Sequence, residues 1–288
     1  MTPIDRYAVL GHPVEHSRSP FIHAEFARLT GQAIDYGRRL CPLQGFELAL
    51  RAFAAEGARG CNVTVPFKFD ALRLASQASP RAALAGAANT LRFDTEGFGA
   101  DNTDGVGLVR DIETGAGIAL AGRRLLLVGA GGAAAGVLGP LIAAGPACIV
   151  VANRSPDKAA ALVARHRDHA TAHAVALFHA ALDRADKSEG ASRFDVVINA
   201  SASSLHGAPP PVTAAVLAPG ALALDLMYGA AAEPFMAWAR QAGATARDGL
   251  GMLVEQAAES FAIWRGVHPP TAPVLAALRA QDANREHP

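Results

Sequence analysis

Short polar motifs in the first third of the chain carry residue types that could hold and protonate a small substrate. HSRSP (16–20) places two hydroxyls two residues apart, NVTVPFK (62–68) ends on a lysine, and DNTDG (101–105) supplies carboxylates. The pair Asn89 and Thr90 adds an amide and a hydroxyl. Hydroxyl, amide, amine and carboxylate groups together suit a small polyhydroxylated substrate that also carries a carboxylate.

Lys68 is the candidate acid–base group among these motifs. Of the 26 cationic side chains in the sequence, 23 are arginine and three are lysine. Arginine stays protonated in proteins, whereas a partly buried lysine can lose its proton. A site that gives and takes a proton therefore favours lysine. The alternative is a surface lysine that ends a strand, because lysines are mostly exposed.

The other polar motifs also have purely structural interpretations. Ser19 precedes Pro20 and would make a good helix N-cap, which explains Ser19 but not Ser17. An Asx turn explains residues 101–104 by itself. On the sequence alone these alternatives stay open.

A glycine-rich segment further along the chain predicts a dinucleotide site. GAGGAA (129–134) follows an apolar run at 124–128 and opens a predicted helix over 132–144. In such a turn the first glycine permits the tight bend, the second admits the pyrophosphate, and a small third residue packs helix on strand. Free N–H groups and the helix dipole then favour the anion. The alternative is a glycine turn with no ligand.

The end of the next predicted strand favours NADP over NAD. NAD-binding proteins place an acidic residue there to hold the ribose 2′-hydroxyl. This chain instead has Asn153, Arg154 and Ser155. A guanidinium suits a 2′-phosphate by its charge and its fork of donors. An exposed cation at a strand end is the alternative for Arg154.

Short apolar runs alternate with alanine-rich stretches, which predicts an α/β protein with largely parallel sheets and a doubly wound nucleotide domain. The predicted strands are 6–10, 34–40, 60–65, 89–93, 124–128, 148–152, 195–199 and 222–225. The predicted helices are 19–29, 46–55, 81–88, 132–144, 252–265 and 271–282, with a loop at 201–211.

The amino-acid composition argues against several classes of binding partner. The formal net charge is zero and the pI is about 7.2, so the basic footprint of a nucleic-acid binder is absent. The three cysteines form no CxxC pair, which favours neither a disulfide framework nor a zinc site. No signal sequence or membrane span is predicted. We therefore expect a soluble cytoplasmic protein that binds neither nucleic acid nor membrane.

The histidines give no sign of a metal site. Those at the centre of the chain lie in or near a predicted helix, and no pair has HExxH spacing. We expect them to be exposed helix-face residues. They are His166, His169, His173 and His179.

The ordered motifs resemble those of the shikimate dehydrogenase family, from about Tyr7 to Trp264. The resemblance implies NADPH-dependent reduction of 3-dehydroshikimate to shikimate, a step of aromatic amino-acid biosynthesis. It also implies two domains with the active site in the cleft. A substrate domain over 1–105 is completed by C-terminal helices over 248–288, and a Rossmann-like NADP-binding domain covers 106–247. The matching segments are GHPVEHSRSPFIH (11–23), NVTVPFK, GAANT (86–90), DNTDG, GAGGAA, NRS (153–155) and DGLGMLVEQ (248–256).

The resemblance further implies roles for single residues. Lys68 would be the acid–base group, Ser17 and Ser19 would bind the substrate carboxylate, and Tyr228 would lie near it. The ring hydroxyls would be held by Thr64, Asn89, Asp104 and Gln256, with Asp104 also orienting Lys68. The cofactor would be bound by Gly129, Ala130, Gly131, Gly132, Ala133, Asn153, Arg154, Ser155, Pro156, Asp157, Lys158, Leu226 and Gly249.

The chain departs from the usual family motifs at three places. Ser201-Ala202 replaces Thr-Ser, Glu233-Pro234 replaces Thr-Pro, and Ala88 replaces valine. The first two leave cofactor-side loop details in doubt. Gln256 could instead be an exposed polar residue of a helix.

The alternatives are a quinate/shikimate dehydrogenase that tolerates NAD, an aminoshikimate or related enzyme, and a non-catalytic nucleotide-binding module. Ser17, Ser19 and Arg154 argue against the first, and Lys68 with Asp104 argues against the last. We expect a monomer or a homodimer.

Overall fold

The computed structural model describes residues 4–189, 193–201, 203–204 and 212–286. Contacts divide the chain into two compact units, one formed by Met1–Gly107 with Val254–Pro288 and the other by Leu108–Leu253. Each unit contains one mixed or parallel sheet with helices, so the predicted α/β class is confirmed.

Strands and helices alternate along most of the chain. The strands are β1 (Asp5–Gly11), β2 (Ile34–Leu40), β3 (Gly60–Val63), β4 (Gln77–Ala78), β5 (Thr90–Asp94), β6 (Gly97–Asp101), β7 (Arg124–Val128), β8 (Cys148–Asn153), β9 (Ala176–Ala181), β10 (Phe194–Asn199), β11 (Leu217–Asp225) and β12 (Thr245–Arg247). The helices are α1 (Ser19–Thr30), α2 (Phe46–Ala55), α3 (Lys68–Leu74), α4 (Pro80–Ala85), α5 (Asp104–Arg110), α6 (Gly132–Ala143), α7 (Pro156–Ala172), α8 (Glu233–Gln241), α9 (Leu250–Arg265) and α10 (Ala272–Glu286).

The sheet of the first unit brings the polar motifs to one place. Its strand order is β2-β1-β3-β5-β6-β4, with β5 antiparallel to both β3 and β6. The register pairs Asn62 with Thr90, and Thr90 with Asp101. Because antiparallel neighbours place the end of one strand beside the start of the next, three motifs that are distant in sequence meet at this edge.

The second sheet is parallel throughout and has the order β12-β11-β10-β7-β8-β9. The chain enters at β7, winds outward to β9, returns to β10 and winds outward to β12. This is the doubly wound order, and its direction reverses between β7 and β10. The predicted doubly wound domain is therefore confirmed. Ligands of such sheets bind at the carboxyl ends of the strands, beside this switch point.

The central strands of the second sheet are buried and apolar on both faces, which is typical of a parallel sheet covered on both sides. Leu125 and Leu127 of β7 pack into one hydrophobic cluster, and Leu126 and Val128 pack into another. All four side chains are completely buried. This packing fixes the carboxyl end of β7 and therefore the position at which the glycine turn begins.

The structure corrects several sequence-based expectations. The strand predicted at 60–65 ends at Val63, and Lys68 begins α3 instead of ending a strand. His166 is completely buried, because it shares the inward face of α7 with Leu162 and Ala170. His179 lies on β9 and not on a helix. Most of the loop predicted at 201–211 lies outside the described residues.

Two unpredicted strands have weak sequence signals. β6 contains two glycines, and β9 has no β-branched residue, so neither has the composition typical of a strand. Within the part of the chain that the structure describes, no helix combines the length and the hydrophobicity needed to cross a bilayer.

Candidate active site

Lys68 and Asp104 form an ion pair in the first unit. The Nζ atom of Lys68 lies 2.5 Å from Oδ2 of Asp104, and the two side chains are 17% and 8% exposed. Lys68 is placed by its neighbours, because buried Phe67 stacks on Phe46 with ring centroids 4.7 Å apart. The carbonyl of Lys68 also accepts a hydrogen bond from the N–H of Ala88 at 2.9 Å. The amine therefore has a defined position and access to solvent on one side.

Asn89 holds the second oxygen of the carboxylate. Its Nδ2 donates to Oδ1 of Asp104 at 2.8 Å and to Oε1 of Gln256 at 3.2 Å. Its Oδ1 accepts from the N–H of Thr103 at 2.8 Å and from the hydroxyl of Thr90 at 3.0 Å. These partners allow only one orientation of the amide. The structure thus brings together four predicted site residues: Lys68, Asn89, Asp104 and Gln256.

A buried polar layer supports this cluster and was not predicted. Asn62 donates from Nδ2 to Ser260 at 3.0 Å and to Thr90 at 3.1 Å, and it accepts from the Tyr36 hydroxyl at 2.7 Å. Burial raises the pKa of Tyr36 well above its ordinary value, so this hydroxyl keeps its proton and acts as a donor. Ser260 donates to the carbonyl of Gln256 at 3.0 Å. Asn62 and Thr90 had sequence signals, in NVTVPFK and in the Asn89–Thr90 pair, whereas Tyr36 and Ser260 had none.

Ser17, Ser19 and Thr64 also lie in the first unit, but no hydrogen bond among the described residues links them to Lys68 or Asp104. Arg38 donates twice to the carbonyl of Ser17, at 3.0 and 2.6 Å. The Ser17 hydroxyl accepts from the N–H of Ser19 at 3.3 Å.

The N-cap interpretation of Ser19 is wrong. Arg18 occupies the cap position of α1, and no side chain caps this helix. Thr64 begins the turn that leads to Lys68, and its carbonyl accepts the N–H of Phe67 at 3.0 Å.

The glycine turn of the second unit is tight at Gly129 and open at Gly131. Gly129 has a φ of +116°, and a Cβ there would lie 2.9 Å from the backbone of Ala200. Gly131 is different, because a Cβ there would meet nothing within 4 Å. Gly131 caps α6 without any side-chain hydrogen bond. Gly132 and Ala133 begin α6, and the free N–H groups of a first helical turn favour an anion.

The residues after β8 form a polar, largely exposed turn. Asn153 ends the strand and donates from Nδ2 to the carbonyl of Ser155 at 3.0 Å. Pro156 opens α7, and Asp157 and Lys158 lie exposed in its first turn. Arg154 is exposed and makes no hydrogen bond or ion pair with any residue that the structure describes. Its donors are therefore available to a ligand.

Leu226 and Gly249 are in contact beyond the end of β11. A Cβ on Gly249 would clash with the carbonyl oxygen of Leu226, and the N–H of Gly249 donates to the carbonyl of Met227 at 2.8 Å. Tyr228 follows in the same unit and is partly buried. The predicted carboxylate-binding serines Ser17 and Ser19 belong to the other unit.

Asp225 is a buried carboxylate that sequence reasoning missed. Ser204 donates to its Oδ2 at 2.5 Å and Asn199 donates to the same atom at 3.0 Å. Burial raises the pKa of Asp225, and these hydrogen bonds act in the opposite direction. The group ties the ends of β10 and β11 together. In the described ranges, no three His, Cys, Asp or Glu side chains are grouped as metal ligands would be.

Comparison with known proteins identifies the family of this chain. The profile of the shikimate dehydrogenase substrate binding domain matches residues 9–91, that of the shikimate / quinate 5-dehydrogenase matches 113–206, and that of the shikimate 5′-dehydrogenase C-terminal domain matches 249–279. The shikimate dehydrogenase (NADP(+)) of Methylibium petroleiphilum is 67% identical over 282 residues, which cover 96% of this chain and 94% of that protein. The chain belongs to the shikimate dehydrogenase family.

The similarity to solved structures also covers nearly the whole chain. The Ael1 enzyme from Pseudomonas putida is 45% identical with a TM-score of 0.86, and 95% of this chain and 98% of that chain are covered. The shikimate 5-dehydrogenase from Thermus thermophilus, in complex with NADP(H) and shikimate, is 31% identical with a TM-score of 0.83. This match covers 96% of this chain and 99% of that chain.

The departures from the family motifs leave the Lys68–Asp104 pair intact. Ala88 is buried, and its contact with Lys68 is made by the main chain. Ser201 donates to Oδ1 of Asn199 at 2.7 Å, whereas Ala202 lies outside the described residues. Glu233 begins α8 and pairs with Arg240 at 2.7 Å.

Proposed function

We propose that this chain is an NADP-dependent shikimate dehydrogenase that reversibly reduces 3-dehydroshikimate to shikimate. The observation that carries the proposal is the Lys68–Asp104 pair, 2.5 Å apart and braced by Asn89, in a chain of this family. A dehydrogenase of this kind needs a proton donor at a fixed position beside the substrate oxygen. The reaction belongs to aromatic amino-acid biosynthesis and takes place in the cytoplasm.

Substrate binding uses the polar groups of the first unit. Thr64, Asn89, Asp104 and Gln256 hold the ring hydroxyls, and the hydroxyls of Ser17 and Ser19 bind the carboxylate. Tyr228 lies near the carboxylate of the bound substrate. A polar pocket of this kind discriminates strongly, because a substrate that lacks one hydroxyl leaves a buried protein group without its hydrogen bond.

The residues of the second unit fit NADP. Space beside Gly131 and the uncapped start of α6 suit a pyrophosphate. Arg154 and Lys158 offer two positive charges at the end of β8, where an NAD site would have an acid. Asn153, Ser155, Pro156 and Asp157 shape the same turn, while Ala130, Leu226 and Gly249 line the cofactor further along.

Proton transfer is the task of Lys68. NADPH, when bound, supplies a hydride to the carbonyl carbon of the substrate. The electron pair of the carbonyl π bond moves to oxygen, and the Lys68 ammonium donates a proton to that oxygen. In the reverse direction neutral Lys68 accepts the hydroxyl proton. Asp104 accepts a hydrogen bond from Lys68 throughout and keeps Nζ directed at the reacting oxygen.

A spectrophotometric assay tests the proposal. NADP⁺ reduction is followed at neutral to alkaline pH with shikimate, then with quinate, and each substrate is repeated with NAD⁺. We expect shikimate with NADP⁺ to give the highest kcat/KM by at least about tenfold, because quinate has a saturated ring with an additional hydroxyl and NAD⁺ lacks the 2′-phosphate that Arg154 would bind.

Comparable rates with quinate would favour the quinate/shikimate enzyme, which the matched shikimate / quinate profile also covers. No turnover with either substrate would contradict the proposal. Size-exclusion chromatography distinguishes the monomer from the homodimer, the two assemblies we consider.

A further inference from the structure

A partly buried ion pair in the second unit joins two segments that are far apart in sequence. Asp111 opens a π-helical turn, Asp111–Gly115, and is 2% exposed. Arg247 is the last residue of β12 and donates from Nε to Oδ2 of Asp111 at 3.0 Å and from Nη2 to Oδ1 at 2.5 Å. Two parallel hydrogen bonds fix the relative orientation of the two side chains as well as their distance.

Glycines on both sides show how closely this pair is packed. A Cβ on Gly251 would overlap Oδ1 of Asp111, and a Cβ on Gly115 would lie 2.6 Å from Nη2 of Arg247. Neither position has room for a larger residue unless the ion pair moves. Asp111 therefore forms an ion pair with Arg247 and is in close steric contact with Gly251.

The segment between these contacts contains a predicted cofactor residue. The N–H of Gly249 donates to the carbonyl of Met227, and its Cα approaches the carbonyl of Leu226 too closely to allow a Cβ. The buried side chain of Asp248 accepts the N–H of Leu250 at 3.3 Å. Residues 247–251 are thus held at both ends by Asp111 and in the middle by the main chain after β11.

The strand order identifies which half of a dinucleotide this segment faces. A doubly wound sheet binds one mononucleotide half on each side of its switch point, here between β7 and β10. Arg154 follows β8, on the side that takes the adenosine and its 2′-phosphate. Leu226 follows β11 on the opposite side, so Leu226 and Gly249 face the nicotinamide half.

We propose that the Asp111–Arg247 pair positions the nicotinamide-binding segment, with Asp111 and Arg247 acting as positioning residues that do not touch the cofactor. The inference rests on the proposed function, because it assumes a dinucleotide across this switch point. Its physical basis is that hydride transfer depends on sub-ångström placement of the nicotinamide, whereas the binding of the adenosine end does not.

The test compares Arg247→Met with Arg124→Met. Arg124 forms a similar two-point pair with Asp195 at 2.8 and 3.1 Å, at the amino ends of β7 and β10, and is therefore the matched control. For each variant we measure kcat, the dissociation constants of NADPH and of adenosine 2′,5′-bisphosphate, and the isotope effect with 4-deuterated NADPH. The bisphosphate probes the adenosine half alone.

We expect Arg247→Met to lower kcat/KM for NADPH by about 10- to 100-fold, the usual effect of a displacement near 1 Å, with unchanged affinity for the bisphosphate. Its isotope effect should rise, because hydride transfer becomes rate-limiting. Arg124→Met should match the parent protein in all these quantities. If Arg247→Met does not fold, Arg247→Lys and Arg124→Lys replace the pair, since lysine keeps the charge but not the two-point geometry.

Two results would overturn the inference. One is an Arg247 variant whose kinetics equal those of its Arg124 control. The other is an equal loss of affinity for NADPH and for the bisphosphate, which a general disturbance of the sheet would produce. A parent protein that neither binds NADPH nor oxidises shikimate contradicts the proposed function instead, so the two failures are distinguishable.

Discussion

Lys68 and Asp104 lie 36 positions apart in the chain, yet Nζ of one is 2.5 Å from Oδ2 of the other. Oδ1 of the same carboxylate accepts a hydrogen bond from Asn89. With both oxygens engaged, the carboxylate cannot rotate, and its remaining lone pairs keep a constant direction. The Nζ atom of Lys68 is therefore oriented by the protein before any substrate binds.

Replacing Lys68 should abolish most of the activity without unfolding the protein. Lys68→Ala is expected to lower kcat by roughly 10²–10⁴, the usual contribution of a positioned acid–base group. Lys68→Arg should fail as well, because arginine does not cycle its proton. Steady-state kinetics of shikimate oxidation measure both effects.

Lys187→Ala serves as the control, since Lys187 is an exposed lysine in the 3₁₀ turn Leu182–Lys187. It should keep the parent kcat. A Lys68→Ala protein with near-normal kcat would eliminate the acid–base role of Lys68.

Arg154 should set the preference between the two nicotinamide cofactors. Arg154→Ala is expected to raise KM for NADPH by at least about tenfold and to leave KM for NADH nearly unchanged, because a charge-assisted contact to phosphate contributes about 1.5–3 kcal/mol. Arg167→Ala, at an exposed arginine of the neighbouring helix α7, is the matched control. Equal changes in KM for both cofactors would remove this role from Arg154.

Asn89 should couple stability to activity. Asn89→Ala leaves the buried N–H of Thr103 without its acceptor and is expected to lower the free energy of unfolding by about 1–3 kcal/mol. The same change releases Asp104, so kcat/KM for shikimate should fall by at least about tenfold, since the acid–base pair loses its alignment. Urea unfolding and steady-state kinetics on the same sample test whether stability and kcat/KM fall together. A variant that loses stability but retains its kcat/KM would contradict it.

His23 should make the protein sensitive to mild acid. Its ring is completely buried and stacks on Tyr36 at 4.1 Å, and burial lowers its pKa from 6.5 to about 3. Below pH 6.5 the unfolded chain takes up a proton at this residue, whereas the folded chain does not until about pH 3. The free energy of unfolding should therefore fall as the pH drops from 6.5, by up to about 1.4 kcal/mol per pH unit from this group.

Urea unfolding at pH 7.5 and pH 4.5 tests this with His23→Phe, which keeps an aromatic ring against Tyr36. The parent protein should lose about 2–3 kcal/mol more than the variant between the two pH values. His16→Gln, at an exposed histidine, should behave as the parent does. An identical pH dependence in the parent and in His23→Phe would show that His23 does not carry the effect.

Local patterns were sufficient for many elements of this fold. The apolar run before Gly129 and the alanine-rich run after it correctly predicted β7 and α6, because strand, turn and helix signals there are all local. His166 was placed wrongly, since helix composition does not say which face of α7 packs inward. The strand predicted over 60–65 is shorter in the structure, because the pairing with β5 stops at Asn62.

The sequence by itself determined the residue inventory: the glycine turn, the cation at Arg154 and the acid–base candidates Lys68 and Asp104. It also determined the family, since the order of motifs needs no coordinates. Only the tertiary structure decided that Asn89 engages Asp104, that Ser260 and Tyr36 support Asn62, and that Asp111 is packed against Gly251. Those relationships depend on strand register and helix packing, which are set by the burial of the whole core and therefore leave no trace at any single position.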